Sequence, residues 1–190
     1  MGLTDLVLVG HSTGGGEVVR YAARLAAGRV RKFVTIGAVP PVMVQSASNP
    51  SGTPLAAFDN IRARLLADRS QYWKELALAF FGFNRDGAAV SQGLVDHFWL
   101  QGMQAGLASV YDCVKAFSET DFTSDLRALD VPILIAHGDD DQIVPIHASA
   151  TKAIELVRYG TLRPYPHAPH GIHGDYRMHL MGDLLEFIVG

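Results

Sequence analysis

A serine lies between glycines in the stretch 10–14, which reads Gly-His-Ser-Thr-Gly. The apolar run 6–9 precedes it directly, and apolar residues at helical spacing follow it. A strand, a sharp turn and a helix in this order expose a serine hydroxyl as a nucleophile that attacks an acyl carbonyl. A glycine-rich turn with an idle serine is the alternative interpretation. Side chains at the turn would collide with the strand or the helix, so its glycines are expected to keep it open. These are Gly10, Gly14, Gly15 and Gly16.

A carboxylate and an imidazole that could activate this serine follow it in the chain. The aspartates 139–141 come after the apolar run 133–136, which places them at the carboxyl end of a strand. The histidines of the stretch 167–173 come after the last apolar run. The order serine, aspartate, histidine is the one expected for this architecture. Spacing alone does not choose among the three aspartates, and turn or helix-start roles are the alternative for each of them.

The histidine spacing also raises the alternative of a metal site. His167, His170 and His173 recur at every third position. Pro169 and Gly171 oppose a regular helix that would present these rings on one face, and no cysteine or carboxylate spacing completes a ligand set. We therefore expect these histidines to hold no metal. The remaining histidines, His137 among them, are expected to serve packing or the surface, whereas His11 could line a pocket at the turn.

Composition excludes several classes of function. The net charge is −3 over 190 residues, with both signs mixed, and this gives no basic stripe that would bind nucleic acid. The run 6–9 is too short for an export signal or a membrane span, so no membrane partner is expected. The single cysteine, Cys113, permits no internal disulfide and favours a cytoplasmic location. It lies in an apolar helical stretch and is predicted to be buried.

Short apolar runs predict parallel strands that are covered on both faces. These runs are residues 6–9, 33–36, 133–136 and, more weakly, 161–165. Helices are predicted over 13–27, ended by Gly28, over 146–158, ended by Gly160, and over 176–188. Alternating strands and helices indicate an α/β layer with right-handed crossovers.

Residues 40–123 interrupt this alternation. Two helical regions, 55–81 and 90–117, flank a turn at 82–87, and the segment is rich in phenylalanine, tryptophan and methionine. We interpret it as a helical cap over the sheet's carboxyl edge, with residues 1–39 and 124–190 forming the core. As a group the aromatic residues predict an apolar pocket, although each one alone could be cap core. The substrate-binding candidates are Val42, Phe80 and Trp99, together with His11 and Thr13 at the turn.

Several longer motifs together resemble one known family. They are the stretches 10–17 (Gly-His-Ser-Thr-Gly-Gly-Gly-Glu), 38–43 (Ala-Val-Pro-Pro-Val-Met), 117–122 (Phe-Ser-Glu-Thr-Asp-Phe), 137–145 (His-Gly-x-x-Asp-Gln-Ile-Val-Pro) and 169–171 (Pro-His-Gly). In these the chain is similar to the cofactor-free haloperoxidase branch of the α/β-hydrolase fold, whose members are also described as non-haem chloroperoxidases, perhydrolases or aryl esterases. The resemblance implies Ser12 as nucleophile, Asp141 as orienting acid and His170 as base, with the Thr13 backbone N–H as one oxyanion donor.

The resemblance also implies a reaction. The serine would form an acyl-enzyme from a small hydrophobic ester or carboxylic acid, and water or hydrogen peroxide would release an acid or a peracid that oxidises halide. The alternatives are a catalytically impaired fragment that acts as a small-molecule binding module and, more weakly, a hydrolase of carbon–carbon or carbon–halogen bonds. An enzyme of this fold that cleaves carbon–halogen bonds resembles one whose nucleophile is an aspartate, and this chain has Ser12 at that position.

The chain departs from the family at its start, because the N-terminal part that carries the first four strands and the second oxyanion donor is expected to be lacking. What remains corresponds to the C-terminal half of the family's sheet, its contiguous strands 5-6-7-8. Loss of one oxyanion donor typically costs roughly 10²- to 10³-fold in turnover. The strand at 6–9 would become an exposed apolar edge, so homo-oligomers or aggregation through that edge are expected.

Overall fold

Within residues 2–26 and 28–190, which the computed structural model describes, four parallel strands form one sheet. Its order is β1-β2-β3-β4, and each strand contains one of the predicted apolar runs. The predicted α/β class with about four parallel strands is therefore confirmed. The strands are β1 (Leu6–His11), β2 (Val30–Ile36), β3 (Ile133–Gly138) and β4 (Gly160–Tyr165).

Helices connect and cover these strands. The first crosses from β1 to β2, the next four lie between β2 and β3, and the remaining ones flank β4. The helices of the described residues are α1 (Thr13–Arg24), α2 (Leu55–Phe80), α3 (Gln92–Gln104), α4 (Leu107–Glu119), α5 (Thr123–Ala128), α6 (Ala150–Leu156) and α7 (Asp175–Val189).

The central strands β2 and β3 are buried on both faces, which explains their unbroken apolar runs, whereas β1 is only partly buried and most residues of β4 are exposed, contrary to the prediction for these two strands. Side chains alternate along a strand, so Phe33 and Val34 of β2 point to opposite faces. Phe33 packs in a cluster with residues of α1, α5 and α6, whereas Val34 packs in a second cluster with Leu180 of α7. The first cluster continues into the cap through Phe58 and Leu65 of α2. The cap helices and the sheet thus share one hydrophobic core.

The predicted helix over 13–27 ends earlier than expected, at Arg24. Gly28 does adopt a positive φ of 76°, but the backbone N–H groups of Leu25 and Ala26 both turn back to the carbonyl of Tyr21. The predicted end at Ala27 lies outside the described residues. Gly28 lies beyond the C-cap residue Leu25, so it is not the residue that ends the regular helix, and the prediction that it does is wrong.

The cap helices are interrupted where side chains bind the backbone. The region predicted as one helix over 90–117 is divided at Ala105 and Gly106, where the Arg69 guanidinium donates to the carbonyls of Met103 and Ala105 at 3.1 and 2.9 Å. Helix α2 is broken at Asp68, whose carboxylate accepts from the N–H of Gln71 at 2.9 Å and so caps the following turn. Both breaks depend on hydrogen bonds that apolar periodicity does not reveal.

Three further expectations differ from the structure. The helix predicted over 146–158 is a short 3₁₀ turn, Ile146–Ala148, followed by α6, because the backbone at Ser149 leaves the helical region. Helix α5 was not predicted, since six residues are too few for a clear period. Cys113 is exposed rather than buried, because α4 turns Val114 and Ser118 toward the core.

No helix among the described residues is long and apolar enough to cross a membrane.

Two adjacent leucines of α2 test which face of this helix carries the core. Leu65 is 2% exposed and Leu66 is 62% exposed. We expect Leu65→Ala to lower the free energy of unfolding by about 2–5 kcal/mol, because it leaves a cavity where the cap meets the sheet. The matched control Leu66→Ala should change it by less than about 0.5 kcal/mol. Urea unfolding of both variants measures the difference, and equal losses would contradict the assigned face.

Candidate active site

Ser12 lies at the turn between β1 and α1 in a strained backbone conformation, with φ 54° and ψ −120°. Positive φ is unusual for a residue other than glycine, and such strain is commonly found at functional sites. The turn is held by hydrogen bonds from the Ser12 N–H to the Ile36 carbonyl at 2.9 Å and from the Gly15 N–H to the Ser12 carbonyl at 3.0 Å. These bonds attach Ser12 to the carboxyl end of β2.

The glycines around Ser12 are needed for space at three of the four predicted positions. A Cβ on Gly10 would overlap the Gly14 carbonyl, one on Gly15 would overlap Ala38, and one on Gly16 would overlap the Phe122 ring. A Cβ on Gly14 would meet nothing within 4 Å, so the expectation that Gly14 keeps the turn open is wrong. At that position the backbone turns outward into open space.

His170 and Asp141 form a buried hydrogen-bonded pair. Nδ1 of His170 lies 2.6 Å from Oδ2 of Asp141, and both side chains are fully buried. An ionised carboxylate only accepts, so the proton lies on Nδ1 and the Nε2 atom of the neutral ring keeps a free lone pair. Among the described residues Nε2 has no hydrogen-bond partner. A buried imidazole whose far nitrogen is free and whose near nitrogen is held by a carboxylate is equipped to act as a base.

The carboxylate of Asp141 is surrounded by donors. Oδ1 accepts from the backbone N–H groups of Ile143 and Val144 at 2.9 and 2.8 Å, and Oδ2 faces the rings of His170 and His137. Burial alone would raise the pKa of Asp141, but the hydrogen bonds from His137 and His170 outweigh it and hold this pKa well below its usual range. Asp141 therefore stays negatively charged and can stabilise positive charge on His170.

The other two aspartates of the cluster have separate partners. Oδ1 of Asp139 accepts from the backbone N–H of His167 at 2.5 Å, which ties the loop after β3 to the loop after β4. Asp140 pairs with Arg85 of the cap turn, at 2.6 Å between Oδ2 and Nε. Of the three aspartates that spacing could not separate, Asp141 is the one that contacts an imidazole.

The cap holds the loop that carries His170. The Gly171 N–H donates to the Phe80 carbonyl at 2.7 Å, and Nε2 of His173 donates to the Phe81 carbonyl at 2.7 Å. The Phe80 ring stands edge-on to the His170 ring at 4.8 Å between centroids. The carboxyl end of α2 thus fixes the base loop and covers the base with an apolar ring.

His11, next to Ser12 in the chain, also contacts the ring of His170. Its ring lies 4.9 Å from the His170 ring, and its Nε2 donates to the His170 carbonyl at 3.2 Å. Desolvation of the ring lowers the pKa of His11, and the neighbouring His170 lowers it further, so His11 is neutral near pH 7. His11 directly precedes Ser12, so this contact brings the serine turn and the base loop together. No hydrogen bond joins the described Ser12 hydroxyl to His170 Nε2.

The remaining binding candidates lie in different places. The Trp99 indole N–H donates to Ser70 at 2.9 Å, and the Lys74 ammonium lies 4.8 Å from the centre of its ring, which places Trp99 between α3 and α2. The rings described against His170 are those of His11 and Phe80, so Trp99 is not brought to the base. Val42 is buried, and its carbonyl accepts from Asn49 at 2.8 Å. Thr13 is exposed at the start of α1 and lines a groove of about 320 Å³ beside α4.

No group of three histidine, cysteine or acidic side chains in the part of the chain that the structure describes is arranged to hold a metal ion. The three histidines that raised this alternative have other surroundings. His170 binds Asp141, His173 binds the Phe81 carbonyl, and His167 is exposed with a positive φ of 59°.

Two residues at the site were missed from the sequence. His137 stands at the end of β3, and its Nε2 lies 3.2 Å from Asp141 Oδ2. From the sequence it is expected to serve only packing or the surface. Its place immediately before the aspartate cluster was the available signal. Gly37 follows β2 with φ 52°, and a Cβ there would lie 3.2 Å from His170 Nδ1 and 3.3 Å from Asp141 Oδ2. A side chain at this position would press on both members of the pair.

Known proteins are similar to this chain in sequence and in fold. Residues 1–174 match the model of a family described as having the alpha/beta hydrolase fold. A non-heme haloperoxidase of Rhodococcus erythropolis is 55% identical over 99% of this chain and 69% of its own length. A bifunctional esterase/perhydrolase of Acinetobacter calcoaceticus is 48% identical over 99% of this chain and 68% of its own length. The crystal structure of a bromoperoxidase from Bacillus anthracis superposes with a TM-score of 0.89 at 31% identity, over 98% of this chain and 68% of that one.

Gly37 provides a test of the pair's geometry. Gly37→Ala combines the strain of a positive φ with a contact against His170 and Asp141. We expect turnover of 4-nitrophenyl acetate, used as a test ester, to fall by about 10²-fold, because small misplacements of reacting groups can cost that much. The matched control is Gly87→Ala, because Gly87 has φ 75° and open space around it. Each change should cost about 1 kcal/mol of stability from backbone strain. Equal turnover in the two variants would show that Gly37 does not limit the site.

Proposed function

Because the chain belongs to the α/β-hydrolase family, in its non-haem haloperoxidase branch, we propose that it is a serine esterase that works through an acyl-enzyme and also transfers acyl groups to hydrogen peroxide. The observation that carries this proposal is the buried hydrogen bond between His170 and Asp141, with the free Nε2 of His170 at the edge of the sheet where Ser12 lies. A nucleophile, a base and an orienting carboxylate are the three groups that acyl transfer requires.

In the proposed acylation step, Nε2 of His170 removes the proton of the Ser12 hydroxyl as Oγ attacks the ester carbonyl. Asp141 stabilises the positive charge that forms on the imidazole. The backbone N–H of Thr13, at the start of α1, donates to the developing oxyanion. When the carbon–oxygen bond to the leaving alcohol breaks, His170 returns the proton to that alcohol, and the acyl group stays on Ser12. With a carboxylic acid as the substrate, the group that leaves is the hydroxyl, which takes this proton and departs as water.

In the proposed second step, His170 removes a proton from water or from hydrogen peroxide, which attacks the acyl-enzyme. The acyl–Ser12 bond breaks, the serine recovers its proton, and the product is a carboxylic acid or a peracid. A peracid then transfers one oxygen atom to a halide ion in solution and becomes the carboxylate, with hypohalous acid as the other product. Halide oxidation is in this scheme a consequence of acyl transfer, and the scheme uses no metal or haem.

The proposed substrates are small hydrophobic carboxylic acids and their esters, including aryl esters. Phe80 supports this choice, because its apolar ring borders the ring of His170, the base in the proposed reaction. Phe98 lies behind it, at 4.7 Å between ring centroids. Burial of an apolar acyl group against these rings would contribute binding free energy in proportion to the area removed from water.

Substitution of Ser12 distinguishes a catalytic protein from a binding module without turnover. We expect the native protein to be labelled once by a fluorophosphonate, to hydrolyse 4-nitrophenyl acetate, and to oxidise bromide when acetate and hydrogen peroxide are both supplied. Ser12→Ala should lose all three activities, because each begins at the same hydroxyl. Asp141→Asn should reduce hydrolysis by roughly 10⁴-fold, the loss that this change causes in a serine-protease triad.

The matched control is Ser109→Ala, which removes an exposed serine hydroxyl from α4 and should leave all three activities unchanged. Intact-mass measurement identifies the label, and circular dichroism checks that each variant is folded. A folded native protein that takes no label would favour the alternative, a binding module without turnover. Bromide oxidation that survives in Ser12→Ala would contradict the acyl-transfer origin of the haloperoxidase activity.

The proposed partner, besides the small-molecule substrates, is a second copy of this chain at strand β1. In the described sheet β1 pairs with β2 alone, and Val9 is 49% exposed. An unpaired apolar strand presents N–H and C=O groups that another strand can bind.

We also propose a cytoplasmic location, which the single cysteine supports.

We expect sedimentation velocity to show dimers or larger species of the native protein. Val9→Lys should shift the distribution toward monomer, because a charge on an edge strand opposes pairing. The control Val90→Lys places the same charge at an exposed valine of the cap, outside the sheet, and should leave the distribution unchanged. A monodisperse native monomer would contradict association through β1.

A further inference from the structure

Asp141 is contacted by a second histidine that the proposed reaction does not use. His137 stands at the end of β3, and its side chain is 1% exposed. Its Nε2 lies 2.8 Å from the Val144 carbonyl and 3.2 Å from Asp141 Oδ2. A carbonyl oxygen only accepts, so Nε2 carries the proton and faces both acceptors. The other ring nitrogen, Nδ1, is buried and has no hydrogen-bond partner in the described part of the chain.

These contacts form a closed ring of interactions. The His137 ring donates to the Val144 carbonyl, the Val144 N–H donates to Asp141 Oδ1, and Asp141 Oδ2 faces the His137 ring again. The carboxylate is therefore contacted at both oxygens: Oδ1 accepts from the loop backbone, and Oδ2 lies 3.2 Å from Nε2 of His137, which bonds the Val144 carbonyl more closely. Rotation of the carboxylate would break bonds on both sides, and the low dielectric of the interior makes each broken bond expensive.

We propose that His137 is a positioning residue, which holds Oδ2 of Asp141 in the direction that orients the His170 ring for its reaction with Ser12. This inference rests on the proposed esterase function, because it assigns a role within that site. His137 acts through Asp141 and does not touch the substrate. Since Oδ2 receives both imidazoles, His137 also shares the negative charge that Asp141 presents to His170.

Without the His137 donor, two changes are expected at the site. The carboxylate gains freedom to rotate, so His170 is oriented less well and kcat falls by roughly ten- to hundredfold, as the loss of an outer hydrogen-bond partner does in metal sites. The KM changes little, because no substrate contact is lost. The full negative charge of Oδ2 then acts on His170, so the ring keeps its proton to higher pH and the acid limb of the pH–rate profile moves upward.

The other titratable or charged groups near Asp141 remain the same in these variants. Besides the two imidazoles, they come from the serine turn, from the loop of Asp141 itself and from the cap turn. They are His11, Asp139, Asp140 and Arg85, the last of which is paired with Asp140. A shift of the acid limb in a variant of His137 alone can therefore be assigned to the lost donor.

Three substitutions at this position separate hydrogen bonding from packing. His137→Gln places an amide N–H near the position of Nε2, whereas the amide of His137→Asn is too short to reach Asp141, and His137→Leu keeps the volume without a donor. We expect the Gln variant to retain kcat and the acid limb of the native protein. The Asn and Leu variants should lose kcat, shift the acid limb to higher pH and keep the native KM. His179→Leu, at an exposed histidine of α7, is the control.

The measurements are kcat and KM for 4-nitrophenyl acetate across pH, and the low-field proton resonance of His170 Nδ1–H by NMR, which should shift in the Asn and Leu variants. A folded Leu or Asn variant with native kcat, acid limb and NMR signal would overturn the proposal, as would a Gln variant as impaired as the Asn variant. If Leu does not fold, the Gln and Asn pair decides. If the native protein is not labelled at Ser12, the esterase function fails, and the NMR signal still reports whether His137 holds Asp141.

Discussion

The hydrogen bond between His170 and Asp141 constrains the rest of this molecule. It joins two groups that are fully buried, and an ionised carboxylate is tolerated away from water only where donors surround it. Asp141 meets this condition with two backbone N–H groups and two imidazoles. The partners come from adjacent parallel strands, and the register that sets Gly138 of β3 beside Tyr165 of β4 brings the two loops together. The sheet therefore fixes the geometry of the pair before any substrate is present.

The cap is as much a part of this geometry as the sheet. The carboxyl end of α2 binds the base loop through the Phe80 and Phe81 carbonyls, and Arg85 of the next turn binds Asp140 beside the acid. Farther along, α2 packs its buried residues into the cluster that also covers β2. The cap therefore shares the core with the sheet and is attached to the loops that carry Asp141 and His170.

The fold was predictable because its signals are local, whereas much of the site depends on contacts between distant residues. Buried parallel strands show as apolar runs, and the order of Ser12, the aspartate cluster and the final histidines is visible without coordinates. The break between α3 and α4 depends on Arg69, which is far away in sequence, and so it could not be located by periodicity. The aromatic ring of Trp99 makes it a candidate for substrate binding, but its indole N–H donates to Ser70 within the cap. His137 lies just before the aspartate cluster, but this position in the sequence does not reveal that its ring faces Asp141.

The surroundings of His170 hold its ring in place, so the Ser12 hydroxyl is the group expected to move when the proposed reaction begins. Phe80 stands edge-on to one side of the ring, and Gly37 approaches it so closely that a Cβ there would lie 3.2 Å from Nδ1. His11 binds the carbonyl of the same residue, so the backbone is held as well as the side chain. Ser12 is only partly buried, and its hydroxyl turns about a single bond. Rotation of the serine hydroxyl toward a fixed imidazole is therefore the smaller movement, and hydrogen bonds of this kind commonly tighten only once substrate is bound.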